Sequence, residues 1–489
     1  MIFNSVTFIL FLIVNIILYW ILPNRAKIWL IFISGIIFYG FWRIEFVPVM
    51  LFTAFVDYYI ALHIDKIPVE NKTKRKQWLL LSIIVNFGLL MYFKYLLFFT
   101  ENANSLFNFI GVDFSLPIYS IILPLGISFY TFESVCYTVD VYRGHLKPSR
   151  DWVLYGGFIT FFPKLIAGPI LRASEILHQL KERPKLQLSY IGDGISRILI
   201  GLFLKVVIAD NISVLVDEGF NLDITQMSAI DVFTLAFLFG FQIYFDFAGY
   251  SHIAIGCGRL MGIDISENFN FPYMAKSFKE FWKRWHISLS SWIRDYLYLP
   301  LSGKKVVNRI GSTGNILIDD KTVSEGRKDA ALFLTWMIMG FWHGANWTFV
   351  LWGLLHACFI FGERQLLFIR VKFFKNYPSF LGWGVTLILS MLAWIPFRAV
   401  NLTATFGMYK KLFFIDQYQH LGMKENTYIV TFVLLMFIIM TYLSEKYLLP
   451  KLLKLKIPYF IFSTIKYTVL IILVFTFLRP ISQFIYFQF

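Results

Sequence analysis

Apolar runs close to the length of a bilayer crossing recur from one end of this chain to the other. Phe46–Ile64, Trp78–Phe99, Ile191–Val216 and Val232–Gly256 are examples. A helix needs about 20 apolar residues to cross about 30 Å of hydrocarbon, and only helices and closed barrels satisfy their backbone polar groups there. Composition agrees, with 58% of the 489 residues apolar and only 15% charged, against about 25% charged in a typical soluble domain. A soluble chain this apolar lacks the polar surface to cover itself. A soluble globular enzyme, a disordered chain, a collagen and a disulfide scaffold are all excluded. The predicted fold class is an all-α polytopic membrane protein.

Loop charge orders the spans. Val6–Leu22, Ile28–Phe41 and Phe46–Ile64 precede a basic stretch from Lys66 to Lys76, which the positive-inside rule places in the cytoplasm. Trp78–Phe99 leads to a loop, Glu101 to Leu116, that is acidic and lacks Lys and Arg, hence outside. A fifth span, Leu116–Val139, returns to Arg143, Lys147 and Arg150. Residues 152–171 contain Gly156, Gly157, Pro163, Gly168 and Pro169 between basic flanks, the pattern of a re-entrant segment covered by protein.

Ile191–Val216 and Val232–Gly256 flank an acidic outer loop, Asp217–Asp231. A long basic stretch, Cys257 to Lys328, lies inside, and Ala330–Ala345 with Trp347–Phe361 form a hairpin. After Arg364 to Lys375 come Leu381–Phe397, Tyr428–Leu443 and Tyr459–Leu478. The expectation is about 11–12 transmembrane helices with both termini outside and a retained first span. The connection Ala399–Asn426 breaks the pattern, because Lys410, Lys411 and Lys424 fall on its outer side. No internal repeat supports an inverted-repeat transporter. The chain reads as one domain over 1–489, with a motif-bearing core at about 116–365 and a polar cytoplasmic loop at 302–329 that holds Asp319, Asp320 and Glu325.

The net charge of +15 comes from 45 basic and 30 acidic residues. Its clustering in short loops points to anionic lipid headgroups and not to nucleic acid. Cys136, Cys257 and Cys358 are far apart, so neither a redox pair nor a structural metal site is predicted.

Two segments carry candidate chemistry. In 276–300, Phe278, Phe281, Trp282, Trp285, Leu289, Trp292, Ile293, Tyr296 and Leu297 recur at three- and four-residue spacing, with Lys279, Lys283, Arg284, Ser291 and Arg294 on the other side. That is an amphipathic helix suited to the cytoplasmic interface, with His286 at the edge of its apolar face. Pattern alone leaves both a lipid-anchoring helix and a site open.

The second segment, Met339 to Trp347, contains Trp342, His343, Gly344 and Asn346. His343 lies thirteen residues past Ala330, roughly 20 Å into the membrane at 1.5 Å per residue. A histidine at that depth is costly and marks either a site or a bond to a neighbouring helix. Its ordinary pKa, ~6.5, suits a general base. Asp246 is a second ionisable group within a span, able to orient a histidine, bind a proton or pair with a cation. No G-x-S-x-G elbow, phosphate loop, His-x4-Asp or H-E-x-x-H motif occurs, and Gly256, Gly258 and Gly262 have the wrong spacing for a dinucleotide fingerprint.

Several segments together resemble the membrane-bound O-acyltransferase family, in its bacterial alginate O-acetyltransferase-like branch. They are Phe38 to Arg43, Pro124 to Glu133, Val139 to Gly144, Phe162 to Arg172, Tyr244 to Ser251, Glu267 to Tyr273, Phe281 to Ser290, Arg294 to Tyr298 and Trp342 to Ala345. The resemblance runs in order over about Met1 to Arg398 and weakens beyond. His252 departs from it, standing where this branch more often has Asp, and the stretch Ser302–Asp329 is longer than usual.

The resemblance implies a ring of helices around a central tunnel in a bacterial cytoplasmic (inner) membrane. His343 matches the family's invariant histidine and His286 the second histidine of this branch. Acetyl-CoA is the implied cytoplasmic donor, with no bound cofactor and no metal. The candidate substrate-binding residues are Lys283, Arg284 and Arg294, cations able to neutralise the donor's phosphates, together with Asp295, Tyr296, Asn346 and Trp342, and with Asp246 behind them. The implied partners are an SGNH-type acetyltransferase that is secreted or membrane-anchored, or a small membrane partner, and an extracytoplasmic polysaccharide. The alternatives are D-alanyl transfer to teichoic acid and a transporter or flippase without chemistry, in which His343 and Asp246 relay protons.

Overall fold

The structure is a computed structural model and describes residues 1, 3–182, 184–304, 306–310, 315–319, 322–373, 378–478 and 484. Asp320 and Lys375 therefore lie outside the described residues. Almost every element is helical. Ile44–Lys66, Lys72–Phe109, Leu188–Phe220, Ala229–Leu260, Ser379–Arg398 and Glu425–Leu452 are long and apolar enough to cross a membrane, and Val6–Ile21 and Phe460–Thr476 are apolar but shorter. The chain divides into two compact units. One comprises Met1–Ile198, Ile253–Ser266 and Val307–Leu317, and the other Leu199–His252, Glu267–Val306 and Ile318–Phe489.

Helix starts in the first unit follow local capping. The Ser5 hydroxyl accepts from Phe8 N–H, and Asn71 accepts from Lys74 N–H. Asp151 accepts from the N–H groups of Val153 and Leu154, opening the helix Trp152–Ile159. The unit's interior is tied by polar groups. Asp57 on Val47–Lys66 accepts from Ser82 Oγ at 2.5 Å, Asn86 Nδ2 at 2.7 Å and Thr138 Oγ1 at 3.2 Å, joining three helices. Glu133 pairs with Lys164 and accepts from Leu171 N–H at 3.0 Å, and both charged side chains are buried. This pair holds residues 160–172, which are wholly buried, although the helix before them is only eight residues and too short to cross a bilayer.

Two expectations are corrected. The fifth span does not begin at Leu116: the backbone is irregular up to Gly126, and the helix is Ile127–Arg143. Pro117 and Pro124 deny backbone donors, and Gly126 sits at φ +71. The segment from Glu101 to Phe109 is helical, continuing the helix before it. Within the polar loop 302–329, two short strands, Val306–Ile310 and Asn315–Ile318, pair with each other.

In the second unit, Ala229–Leu260 is the most deeply buried of the long helices. Glu325–His343 and Trp347–Phe373 pack closely as an antiparallel hairpin. Their contact point needs glycine. A Cβ on Gly340 would come within 2.2 Å of the Phe349 carbonyl oxygen, and one on Gly353 within 2.2 Å of the Trp336 carbonyl oxygen. The connection Ala399–Asn426 folds onto the acidic loop Asp217–Asp231. Arg398 pairs with Asp217 at 2.7 Å and Lys424 with Glu218 at 3.0 Å, while Asp231 accepts from Gly422 N–H and Tyr428 OH. The lysine that breaks the loop-charge pattern at 424 is thus answered by an acidic partner.

Removing one member of the buried Glu133–Lys164 pair leaves an uncompensated charge, which costs about 3–5 kcal/mol. Lys164→Met is expected to lower the melting temperature and folded yield in detergent sharply. The double variant Lys164→Met with Glu133→Gln is expected to recover most of that loss.

Candidate active site

The amphipathic stretch 276–300 is not one helix, which corrects the sequence reading. It breaks into Phe278–Arg284 and Ile287–Trp292, followed by a wider turn, Ile293–Tyr298. The break is at His286, which has φ 41 and ψ 57, a left-handed conformation that a residue with a Cβ rarely adopts.

A neighbouring segment holds the bend. Ile287 N–H donates to the Asn268 carbonyl at 2.9 Å, and Asn270 N–H donates to the Arg284 carbonyl at 2.9 Å. The Asn268 side chain is fully buried and accepts at Oδ1 from Ser288 N–H (3.2 Å) and Ser288 Oγ (2.9 Å), while its Nδ2 donates to Ser251 Oγ at 3.2 Å. The backbone donor fixes which end of this amide is oxygen. His286 Nδ1 lies 3.1 Å from the same Oδ1, so Nδ1 carries the proton and Nε2 is the accepting nitrogen. Burial pushes this imidazole's pKa down to about 3, so it is neutral at physiological pH.

His343 ends the helix Glu325–His343 and is 5% exposed. Its ring is walled by Trp342 at 4.9 Å, Trp352 at 5.0 Å and Phe397 at 5.2 Å between centroids. Trp352 stacks on Trp394 at 5.8 Å, and Trp394 meets Trp285 at 4.9 Å. Trp285 meets Phe269 at 5.1 Å, and Phe269 stacks on the His286 ring at 6.3 Å. Both histidines therefore border one continuous aromatic cluster, brought together from four separate chain segments. Asn346 shapes the turn after His343: its Oδ1 accepts from Thr348 N–H at 3.1 Å and its Nδ2 donates to the Val400 carbonyl at 3.4 Å.

The other predicted residues are placed differently. Arg284 is committed to Glu280, at 2.8 Å, and to the Asn270 carbonyl at 3.0 Å. Arg294 bonds the buried carboxylate of Asp295 at 2.7 Å, and Tyr296 packs on Trp292 at 5.2 Å. Lys283 is exposed and makes no ion pair among the described residues. Asp246 pairs with Lys205 at 2.7 Å, and that lysine also reaches Asp210 at 2.8 Å. Pairing with a cation, one of the three readings open for Asp246, is present. His252 is half-buried beside Ser251 on Ala229–Leu260.

Sequence reasoning missed two residues. Asn268 lay in a quoted motif, but nothing local marked it as the partner of a histidine eighteen positions on. His356 is a histidine in the apolar run Trp347–Phe361 and is fully buried, and its place in that run was the overlooked signal.

The model of the membrane-bound O-acyltransferase family (MBOAT) matches residues 149–317. A probable alginate O-acetylase, AlgI, of Azotobacter vinelandii is 37% identical over 84% of this chain and 78% of its own length. A peptidoglycan O-acetyltransferase of Helicobacter pylori is 35% identical over 84% of this chain and 79% of its own length. A teichoic acid D-alanyltransferase of Bacillus subtilis is 32% identical over 60% of this chain. The chain belongs to the membrane-bound O-acyltransferase family. It is a multi-pass membrane acyltransferase.

Two outcomes are expected. Asn268→Ala removes the Oδ1 that orients His286 Nδ1 and is expected to lower acyl transfer about tenfold, the effect of one buried hydrogen bond, with little further loss when combined with His286→Ala. The depressed His286 pKa also carries a stability sign. The unfolded chain protonates this imidazole below about 6.5 while the folded chain resists until about 3, so folded stability falls as pH drops through that window. Melting temperatures of His286→Leu are expected to decline less than wild type between neutral and acid pH.

Proposed function

We propose that this protein carries an acetyl group from cytoplasmic acetyl-CoA to a hydroxyl on the far side of a bacterial inner membrane. The observation that carries the reading is the aromatic cluster bordered by His343 and by the neutral, Asn268-oriented His286. The relatives' names point to an extracytoplasmic polysaccharide such as an alginate-like polymer or peptidoglycan. The hydroxyl belongs either to that polymer or to a secreted or membrane-anchored SGNH-type partner that passes the group on. Longer coverage by the acetyl-transferring relatives favours acetyl over D-alanyl transfer.

The acceptor oxygen attacks the thioester carbonyl, and His343 takes the hydroxyl proton. The C–S bond then breaks, and the proton passes to the leaving thiolate. His286, held with Nε2 accepting, positions the acceptor hydroxyl or accepts a hydrogen bond from the product thiol once the thiolate has been protonated. The aromatic walls exclude water, which guards the thioester against hydrolysis, and confinement of both reactants supplies much of the rate. Lys283 is the cation available to the donor's phosphates, since Arg284 and Arg294 are already paired.

The test uses purified protein in detergent with its partner or glycan and acetyl-CoA labelled in the acetyl group. Label is expected on the acceptor with wild type and reduced about 10²–10⁴-fold with His343→Ala. Full transfer by a folded His343→Ala variant defeats the mechanism. Lys283→Glu is expected to raise KM for acetyl-CoA and to leave KM for acetyl-pantetheine, which lacks the nucleotide phosphates, unchanged.

A further inference from the structure

His356 and two indoles form a second polar locus that the acyl-transfer chemistry above does not use. His356 lies on the helix Trp347–Phe373 and is fully buried. Its ring is enclosed by Trp352 at 4.8 Å, Trp282 at 5.0 Å, Trp336 at 5.5 Å, Phe359 at 5.8 Å and Phe281 at 6.2 Å. Among the described residues, neither ring nitrogen of His356 meets a hydrogen-bond partner, nor does the indole N–H of Trp282 or of Trp352. One buried polar atom left unanswered is expensive, and four on three touching side chains call for a ligand that answers them.

The chemistry of those atoms defines the ligand. Indole N–H groups only donate, so they require acceptors such as carbonyl oxygens. A neutral imidazole offers one donor and one acceptor. Carbonyl acceptors together with an N–H donor, among aromatic rings, describe a secondary amide. The locus also adjoins the candidate base, because the Trp352 ring contacts both His343, at 5.0 Å, and His356, at 4.8 Å.

We infer that His356, with the indole N–H groups of Trp282 and Trp352, binds an amide of the donor's pantetheine arm and so sets the thioester beside His343. The inference rests on the acyl-transfer reading and deepens it by assigning His356 as a positioning residue for the donor.

The test is binding without turnover. Pantetheine, which has the amides but neither thioester nor phosphates, is titrated calorimetrically into the full chain in detergent, and each variant's melting temperature is measured first. His356→Phe is expected to bind about tenfold more weakly or worse, the loss of one or two buried hydrogen bonds. His356→Gln restores a donor and an acceptor and recovers most of the affinity, and His343→Ala binds like wild type.

Equal affinity in wild type and a folded His356→Phe overturns the inference, leaving ordered water as the partner of these atoms. Wild type that transfers acetyl from acetyl-CoA but does not bind pantetheine overturns the inference and leaves the acyl-transfer reading intact. Wild type that neither transfers nor binds overturns both. If His356→Phe fails to fold, Trp282→Phe removes one donor from the same locus and decides the matter by the same criteria.

Discussion

Hydrocarbon offers no hydrogen bonds, so each polar group carried into the interior of this protein needs an answer from another part of the chain. Three buried carboxylates show how that demand is met. Asp57 is met by Ser82, Asn86 and Thr138, and Glu133 by Lys164 and Leu171 N–H. Asp246 is met by Lys205. Each such group is a cross-link between segments distant in sequence. Apolar packing brings helices together without choosing among rotations about their axes, whereas a buried carboxylate with one set of donors selects one.

The same constraint gives the histidines their meaning. His286 is placed by a bend that its own residue type disfavours, and the bend persists because Asn268 fastens both the backbone and the imidazole. Strain of this kind is retained where the surrounding contacts over-determine the position. The aromatic cluster between His286 and His343 then does two things. It surrounds both imidazoles with aromatic rings, and it packs them densely enough that both histidines are buried.

Much of the fold was legible in the chain itself. Apolar run length identified Val232–Gly256 and Ile191–Val216 as helices, because the cost of unsatisfied backbone in lipid depends on local composition alone. The hairpin around His343 was legible for the same reason. The fifth span was misplaced because Pro117, Pro124 and Gly126 were read as part of an apolar run when they forbid the helix there. The amphipathic stretch read correctly in its spacing and wrongly in its continuity. Three- and four-residue periodicity survives a single left-handed residue, so the kink at His286 left no mark on the pattern.

Composition and run length determined by themselves that this is a helical membrane protein, and the histidine within an apolar hairpin marked where to look for its chemistry. Tertiary structure alone decided which cations stay available, since Arg284 and Arg294 were equivalent to Lys283 until Glu280 and Asp295 claimed them. It alone paired Asn268 with His286 and enclosed His356 among indoles. The physical reason is one of range. Hydrophobicity and helical period are properties of neighbouring residues, but hydrogen bonding in a low-dielectric interior is settled between side chains that only the folded chain brings together.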